Sequence, residues 1–142
     1  LIGEFHYSID QKGRLMIPSK FRQRFTIEAI ITKGLENCLF IFPKDEWEKV
    51  VEKILKLPLS QANSRAFARL MLSGAYESTI DNQGRILIPE YLRIYARLSK
   101  KVVIVGLYSR IEIWDEKLWE EYKKESESQA QEIAEKLSDL GI

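Results

Sequence analysis

Residues 8–22 read SIDQKGRLMIPSKFR, and residues 79–93 read TIDNQGRILIPEYLR. Asp10, Gly13, Arg14, Ile17, Pro18 and Arg22 of the first block recur as Asp81, Gly84, Arg85, Ile88, Pro89 and Arg93, each 71 positions later (81 against 10). Downstream the echo is weaker. Gly34, Phe42 and Trp47 recur as Gly106, Trp114 and Trp119 at a spacing of 72 (106 against 34), so one residue has been gained or lost between the copies. Self-similarity at a fixed period is the mark of a duplicated structural unit. The order strand, turn, strand, Pro, helix, strand, Gly, strand, helix is read twice.

Each copy has its own local physics. Phe5, Tyr7 and Ile9 alternate with His6 and Ser8, the period of a half-buried strand. Asp10–Gly13 predicts a tight turn, because Asp accepts backbone hydrogen bonds at its start and Gly tolerates positive φ at its end. Leu15 and Ile17 restart the alternation, Pro18 ends it, and Ser19 is expected to cap a short helix through Phe25. Residues 27–32 predict a strand, 34–37 a hairpin turn and 38–42 its return. In the second copy, 75–80 and 85–88 predict strands about the turn 81–84. Pro89 opens a helix to Arg97, and 102–105 with 111–114 form a hairpin around Gly106.

Between the copies, Asp45 is expected to cap a helix that carries Trp47, Val50, Val51, Ile54 and Leu55 on one face. Pro58 ends it. Ser60 is expected to cap a second helix that buries Phe67, Leu70 and Met71. A last helix runs from Asp115 toward Leu140, and its thinly apolar end, from Gln129 on, is expected to fray or to need a partner. The expected units are 1–57, the first repeat with its helix; 58–73, a connecting helix; and 74–142, the second repeat with the C-terminal helix.

Composition narrows the chemistry. At 142 residues, with 45% hydrophobic and 30% charged residues, the chain can bury a core unaided and is not disordered in bulk. No stretch approaches the ~20 apolar residues of a membrane helix, and no basic-apolar-small leader opens the chain. It begins at Leu1 without Met, so a terminus further upstream is expected. The one Cys, Cys38, cannot make an internal disulfide and reads as a small buried hydrophobe, and the reducing cytosol is the expected compartment. With one His, His6, and one Cys, a His/Cys zinc site has no ligand set. His6 reads as a strand surface residue. Neither phosphate-cradling glycine loop is present. No catalytic residue, metal, cofactor or small-molecule substrate is expected, and an enzyme working through carboxylates alone would need a deep cleft holding a pair of them.

The turn D-x-x-G-R supports two readings. It is a stable β-turn with a solvated Arg, or it is a rigid mount for a guanidinium, whose planar fork of donors suits phosphate or guanine O6/N7. The turn's shape calls for Asp10, Gly13, Asp81 and Gly84, whereas Arg14 and Arg85 are not needed for shape, and finding both favours the second reading. The net charge of +1 averages unlike regions. Lys12, Arg14, Lys20, Arg22 and Arg24 stand against Asp10 alone in 10–25. Arg85, Arg93, Arg97, Lys100 and Lys101 stand against Asp81 and Glu90 in 81–101. From Asp115 onward the chain is strongly acidic. Basic blocks of this kind are the electrostatic footprint of nucleic-acid binding, although any one of Arg22, Arg24, Arg93 and Arg97, taken alone, reads more readily as decoration of a solvated helix face.

The doubled D-x-x-G-R-[LI]-x-I-P-x-x-[FL]-R block, with LFIFPKDEW, IEIWDEKLW and the paired helices between, closely resembles the MraZ family of bacterial transcriptional regulators over nearly the whole chain. The units are similar to the AbrB-type DNA-binding domain. The resemblance implies an α+β fold: two tandem AbrB-like swapped-hairpin half-barrels forming a pseudo-two-fold β-barrel, with flanking helices. It further implies a homo-oligomeric ring that binds short direct promoter repeats in double-stranded DNA and represses the division and cell-wall gene cluster, its own promoter included. Such a protein would be cytoplasmic and nucleoid-associated. Carried over by position, Arg14 and Arg85 would contact DNA, supported by Lys12, Lys20, Arg22 and Arg93. Lys12 becomes Gln83 in the second copy, which implies unequal contacts. The alternative is an antitoxin-like interaction module acting through its acidic C-terminal helix. Trp47 and Trp119 are expected to anchor matching helices, and Phe40 and Phe42 to lie in the core or an interface.

Overall fold

The computed structural model describes residues 1–26 and 28–141; Ile27, at the head of one expected strand, lies outside the described residues. Among the described residues eight strands form: β1 (Ile2–Ser8), β2 (Arg14–Met16), β3 (Ala29–Lys33), β4 (Leu39–Pro43), β5 (Tyr76–Ser78), β6 (Arg85–Leu87), β7 (Lys101–Leu107) and β8 (Ile111–Asp115). The α-helices are α1 (Lys44–Leu55), α2 (Ala62–Ala68), α3 (Glu90–Tyr95), α4 (Glu116–Ser128) and α5 (Ala130–Lys136). Ser19–Phe25 is a 3-10 helix, and Arg69–Ser73 continues α2 as a π-helical turn. The fold is mixed α+β.

Strand order carries the duplication into three dimensions. Six antiparallel strands lie in the order β1-β7-β8-β4-β3-β5, and β2 pairs with β6 in a separate ribbon. The order is symmetric about the β4–β8 contact, where Leu39 faces Ile113 and Ile41 faces Ile111. β1 of the first copy lies on β7 of the second, and β5 of the second lies on β3 of the first. Each copy has handed its first strand to the other. The closed barrel implied by the resemblance does not form through hydrogen bonds: no strand ladder among the described residues joins the six-stranded sheet to the β2–β6 ribbon. The ribbon strands are short because Pro18 and Pro89, lacking an N–H, follow one residue beyond each.

The central strands are buried on both faces, which is why β3, β4, β7 and β8 read as continuous apolar runs rather than as alternation. One face packs Ile31, Ile41, Val102, Ile104 and Ile113 against Leu15, Ile17, Phe21, Phe25, Ile86, Ile88 and Leu92 from the ribbon and short helices. The other packs Phe40, Phe42, Val103 and Trp114 beneath Trp47, Val50 and Ile54 of α1, Met71, and Trp119 of α4. Trp47 packs tilted against Phe42 with ring centroids 5.6 Å apart and Trp119 packs edge-on to Trp114 at 5.2 Å, so the matching tryptophans tie matching helices to the sheet. Cys38 is buried, and burial pushes its thiol pKa up.

Several local expectations change. Ser19 begins its helix instead of capping it; Pro18 holds the cap position, and its carbonyl accepts from the Phe21 N–H at 2.8 Å. Pro43, not Asp45, precedes α1, and Asp45 pairs with Arg24 at 3.3 Å. Gln61 rather than Ser60 precedes α2, and of the residues expected to be buried there Phe67 is 38% exposed and Leu70 half-buried, while Met71 is buried. The second hairpin does not turn at Gly106. That residue lies inside β7, and the chain turns beyond it, where Leu107 N–H bonds the Arg110 carbonyl at 2.9 Å. A Cβ on Gly106 would lie 2.8 Å from the backbone of Leu1 and Ile2, so its glycine permits the close approach of β1. The last helix is broken at Gln129 into α4 and α5; Asp115 caps α4, accepting from Leu118 N–H at 3.3 Å.

Candidate nucleic-acid interface

Both D-x-x-G-R segments fold into one and the same turn. In the first, the Asp10 carbonyl accepts from Gly13 N–H and the Asp10 N–H donates to the Arg14 carbonyl, both at 3.0 Å. Asp10 Oδ1 accepts from the N–H groups of Lys12 and Arg14, each at 2.9 Å, and Oδ2 accepts from Arg14 Nε at 2.7 Å. In the second, Asp81 Oδ1 accepts from Gln83 and Arg85 N–H and Oδ2 from Arg85 Nε, all at 2.9 Å. Gly13 and Gly84 have φ of 83° and 80°, where a Cβ is strained. The Arg14 N–H first, and then its guanidinium and the Lys12 N–H, hold the Asp10 carboxyl below the usual carboxylate range. Arg85 and Gln83 do the same for Asp81.

The two turns are joined by the β2–β6 ribbon. Arg14 faces Leu87, Leu15 faces Ile86, and Met16 faces Arg85. Beyond the ribbon, Ile17 N–H donates to the Gly84 carbonyl (2.9 Å) and Ile88 N–H to the Gly13 carbonyl (2.8 Å), so each turn is fastened by the other copy's strand. Alternation places Leu15 and Ile86 fully in the core. Arg14, Met16, Arg85 and Leu87 therefore share the outward face, with the two arginines as diagonal cross-strand neighbours. Their side chains are 32% and 24% exposed, because Nε is tied to the turn. Arg85 Nη1 also lies 4.0 Å from Asp10 Oδ2, across the ribbon. Sequence reasoning treated the arginine as dispensable to the turn's shape. The Nε bond gives it a structural part as well, while no hydrogen bond from either Nη pair occurs among the described residues.

A family model described as "MraZ protein, putative antitoxin-like" matches residues 1–70 and again 71–140. The transcriptional regulator MraZ of Moorella thermoacetica is 49% identical over 141 residues, 99% of each chain. That of Caldanaerobacter subterraneus subsp. tengcongensis is 46% identical over 142 residues, 100% of this chain and 99% of its own. That of Desulforamulus reducens is 46% identical over 139 residues, 98% of each. The chain belongs to the MraZ family.

In this MraZ-family chain, the supporting basic residues take different positions. Lys12 is exposed on the first turn. Arg22 Nε donates to the Ile17 carbonyl at 3.1 Å, and Arg93 Nε to the Ile88 carbonyl at 2.9 Å, beside the turns. Lys20 faces β1, its Nζ 5.8 Å from the Phe5 ring centroid. What the sequence did not reveal is that Arg22 packs on Gly84 and Arg93 on Gly13, each across the copy boundary. Neither spacing nor periodicity signals a contact made by exchange. Away from this face, Glu4, His6 and Glu120 bring ligand atoms within 4.8 Å of one another at the surface. The Lys123 ammonium already occupies that place, 3.2 Å from Glu4 and 3.7 Å from Glu120. Among the described residues, no helix is long and apolar enough to cross a membrane.

Proposed function

We propose that the chain is a transcriptional regulator that binds double-stranded DNA through the outward face of the β2–β6 ribbon. The observation that carries this reading is the placement of Arg14 and Arg85 side by side on that face, each fixed through Nε to the carboxylate of its own turn. Fixing a guanidinium in advance lowers the entropy lost when its remaining donors meet a phosphate or a guanine edge. The relatives' name, transcriptional regulator MraZ, supports the same reading.

The finer reading follows from the family resemblance. The protein represses the division and cell-wall gene cluster from the nucleoid, its own promoter included, by binding short direct repeats as a ring of protomers. Two arginine turns per protomer offer few contacts, and several protomers on successive repeats raise effective concentration and so avidity. Fluorescence anisotropy on a duplex from upstream of its own gene tests the interface. Arg14→Ala with Arg85→Ala is expected to abolish specific binding with the fold intact by circular dichroism, and undiminished binding refutes the role. Light scattering tests the ring: a monomer at binding concentrations overturns it.

A further inference from the structure

The surroundings of the two turns differ in charge although their backbones match. A cleft of ≈ 680 Å³ opens between the first turn and the start of β7, lined among others by Asp10, Gln11, Arg93, Ser99 and Lys100. Its floor is fastened by the Ile9 N–H, which donates to the Lys100 carbonyl at 2.8 Å. The Asp10 carboxylate in this cleft is already matched: one oxygen takes two backbone N–H groups, and the other takes Arg14 Nε and faces Arg85. The cleft therefore presents the cations Arg93 and Lys100, with Lys12 on the adjoining turn.

The second copy lacks this arrangement. At the downstream shift of 72, Lys100 corresponds to Glu28, whose carboxylate pairs with Lys44 at 3.5 Å, and at the turn's shift of 71, Lys12 corresponds to Gln83. Arg22, the counterpart of Arg93, spends Nη2 on Met16 Sδ at 3.1 Å. Leu87 stands where Met16 would recur and offers no acceptor, and no hydrogen bond from the Arg93 Nη groups occurs among the described residues. An ammonium and an uncommitted guanidinium edge across an open cleft form a donor set suited to a phosphodiester, which Lys meets as a point charge and Arg as a fork.

We propose that this cleft is a one-sided phosphate subsite of the DNA interface, in which Lys100 and Arg93 hold a backbone phosphate beside the first turn. The proposal rests on the DNA-binding reading above and deepens it. Phosphate contacts set register without reading bases. The first turn's side thus anchors the duplex, and the second turn, poorer in charge, depends on that anchor.

The test is the salt dependence of binding of the full chain to the upstream duplex and to a shuffled duplex, for wild type, Lys100→Gln, Lys136→Gln and the Arg14→Ala, Arg85→Ala pair. Lys100 is exposed, so its variant keeps the fold. Lys100→Gln is expected to weaken binding to both duplexes alike, roughly three- to tenfold, and to reduce the slope of log K against log salt by about one. Lys136→Gln, on α5, is expected to change neither. If Lys100→Gln binds like wild type while the arginine pair loses specific binding, the subsite falls and the DNA reading stands. Equal losses in Lys100→Gln and Lys136→Gln also overturn the subsite. If the arginine pair binds like wild type, the DNA reading falls and takes the subsite with it.

Discussion

The guanidinium of Arg22 in the first copy lies over Gly84 in the second, its Cζ and Nε 2.6 Å from where a Cβ would stand. Arg93 lies over Gly13 in the same way at 3.2 Å, but there the Ile88 carbonyl also approaches to 3.0 Å. Both glycines have positive φ, so Ala at either is expected to cost about 1–3 kcal/mol from backbone strain alone. The clash differs between the two. At Gly84 it falls on a side chain that can be deleted, and at Gly13 partly on backbone that cannot. In a urea-denaturation double-mutant cycle, Arg22→Ala should recover part of the loss in Gly84→Ala, whereas Arg93→Ala should recover less of the loss in Gly13→Ala.

Asp10 and Asp81 each close a turn and hold an arginine, and substitution should separate the two roles. Asn keeps an oxygen for the backbone N–H groups but cannot charge-pair with Nε. Asp10→Asn and Asp81→Asn should therefore fold while weakening operator binding about three- to tenfold, the cost of ordering a freed side chain. Acid stability should report the same contacts. Both carboxyls are held below their ordinary 3.8, so their contribution is present above that value and is lost as pH falls through the lower folded values. Denaturation midpoints taken from pH 5 downward should fall less steeply in the double Asn variant than in wild type.

How far the sequence carries depends on whether a residue's job is local. The turns were legible because Asp10, Gly13, Asp81 and Gly84 act within five residues of chain, through hydrogen bonds whose chemistry their types announce. Gly106 was read as a turn for the same reason, and wrongly: it admits the backbone of Leu1 and Ile2, a neighbour brought by strand exchange. Alternation tells which face of β1 is buried but not which copy's strand lies beside it. Asp45 looked like a cap, but Pro43 occupies that position and Arg24, 21 residues away, claims the carboxylate. Arg14 and Arg85 face outward because period two turns Leu15 and Ile86 inward, a placement that the repeated turn in the sequence did not by itself announce. Their tethering through Nε, and the clasp of Arg22 and Arg93, required the folded ribbon.

His6 is set to make stability depend on pH in the opposite sense to the aspartates. It sits on β1 with Nδ1 3.2 Å from Glu116 of α4 and Nε2 3.2 Å from Glu4, and Lys123 shares the Glu4 carboxylate at 3.2 Å. The bond to Glu116, with a further one to Glu4, raises its pKa above 6.5. A raised folded pKa gives stability that is full below 6.5 and lost as pH climbs through the raised value. Half exposed and opposed by Lys123, the pair contributes little in absolute terms. The melting temperature of wild type relative to His6→Gln should decline as pH rises above 6.5, and a constant difference would show that His6 does not titrate against α4.

Arg14→Lys and Arg85→Lys distinguish base reading from charge attraction at the ribbon. Lysine keeps the positive charge but has no Nε–H for Asp10 Oδ2 or Asp81 Oδ2 and no planar fork for a guanine edge. If the arginines read bases, the slope of affinity against salt should stay at the wild-type value, because the number of neutralised phosphates is unchanged. The preference for operator over shuffled duplex should then fall by about 1–3 kcal/mol per substitution. Competition anisotropy at two salt concentrations separates the outcomes. Retained preference in both lysine variants would mean that the turns grip phosphate and that sequence is read elsewhere on the face, with Met16 and Leu87 between the arginines as the first side chains to examine.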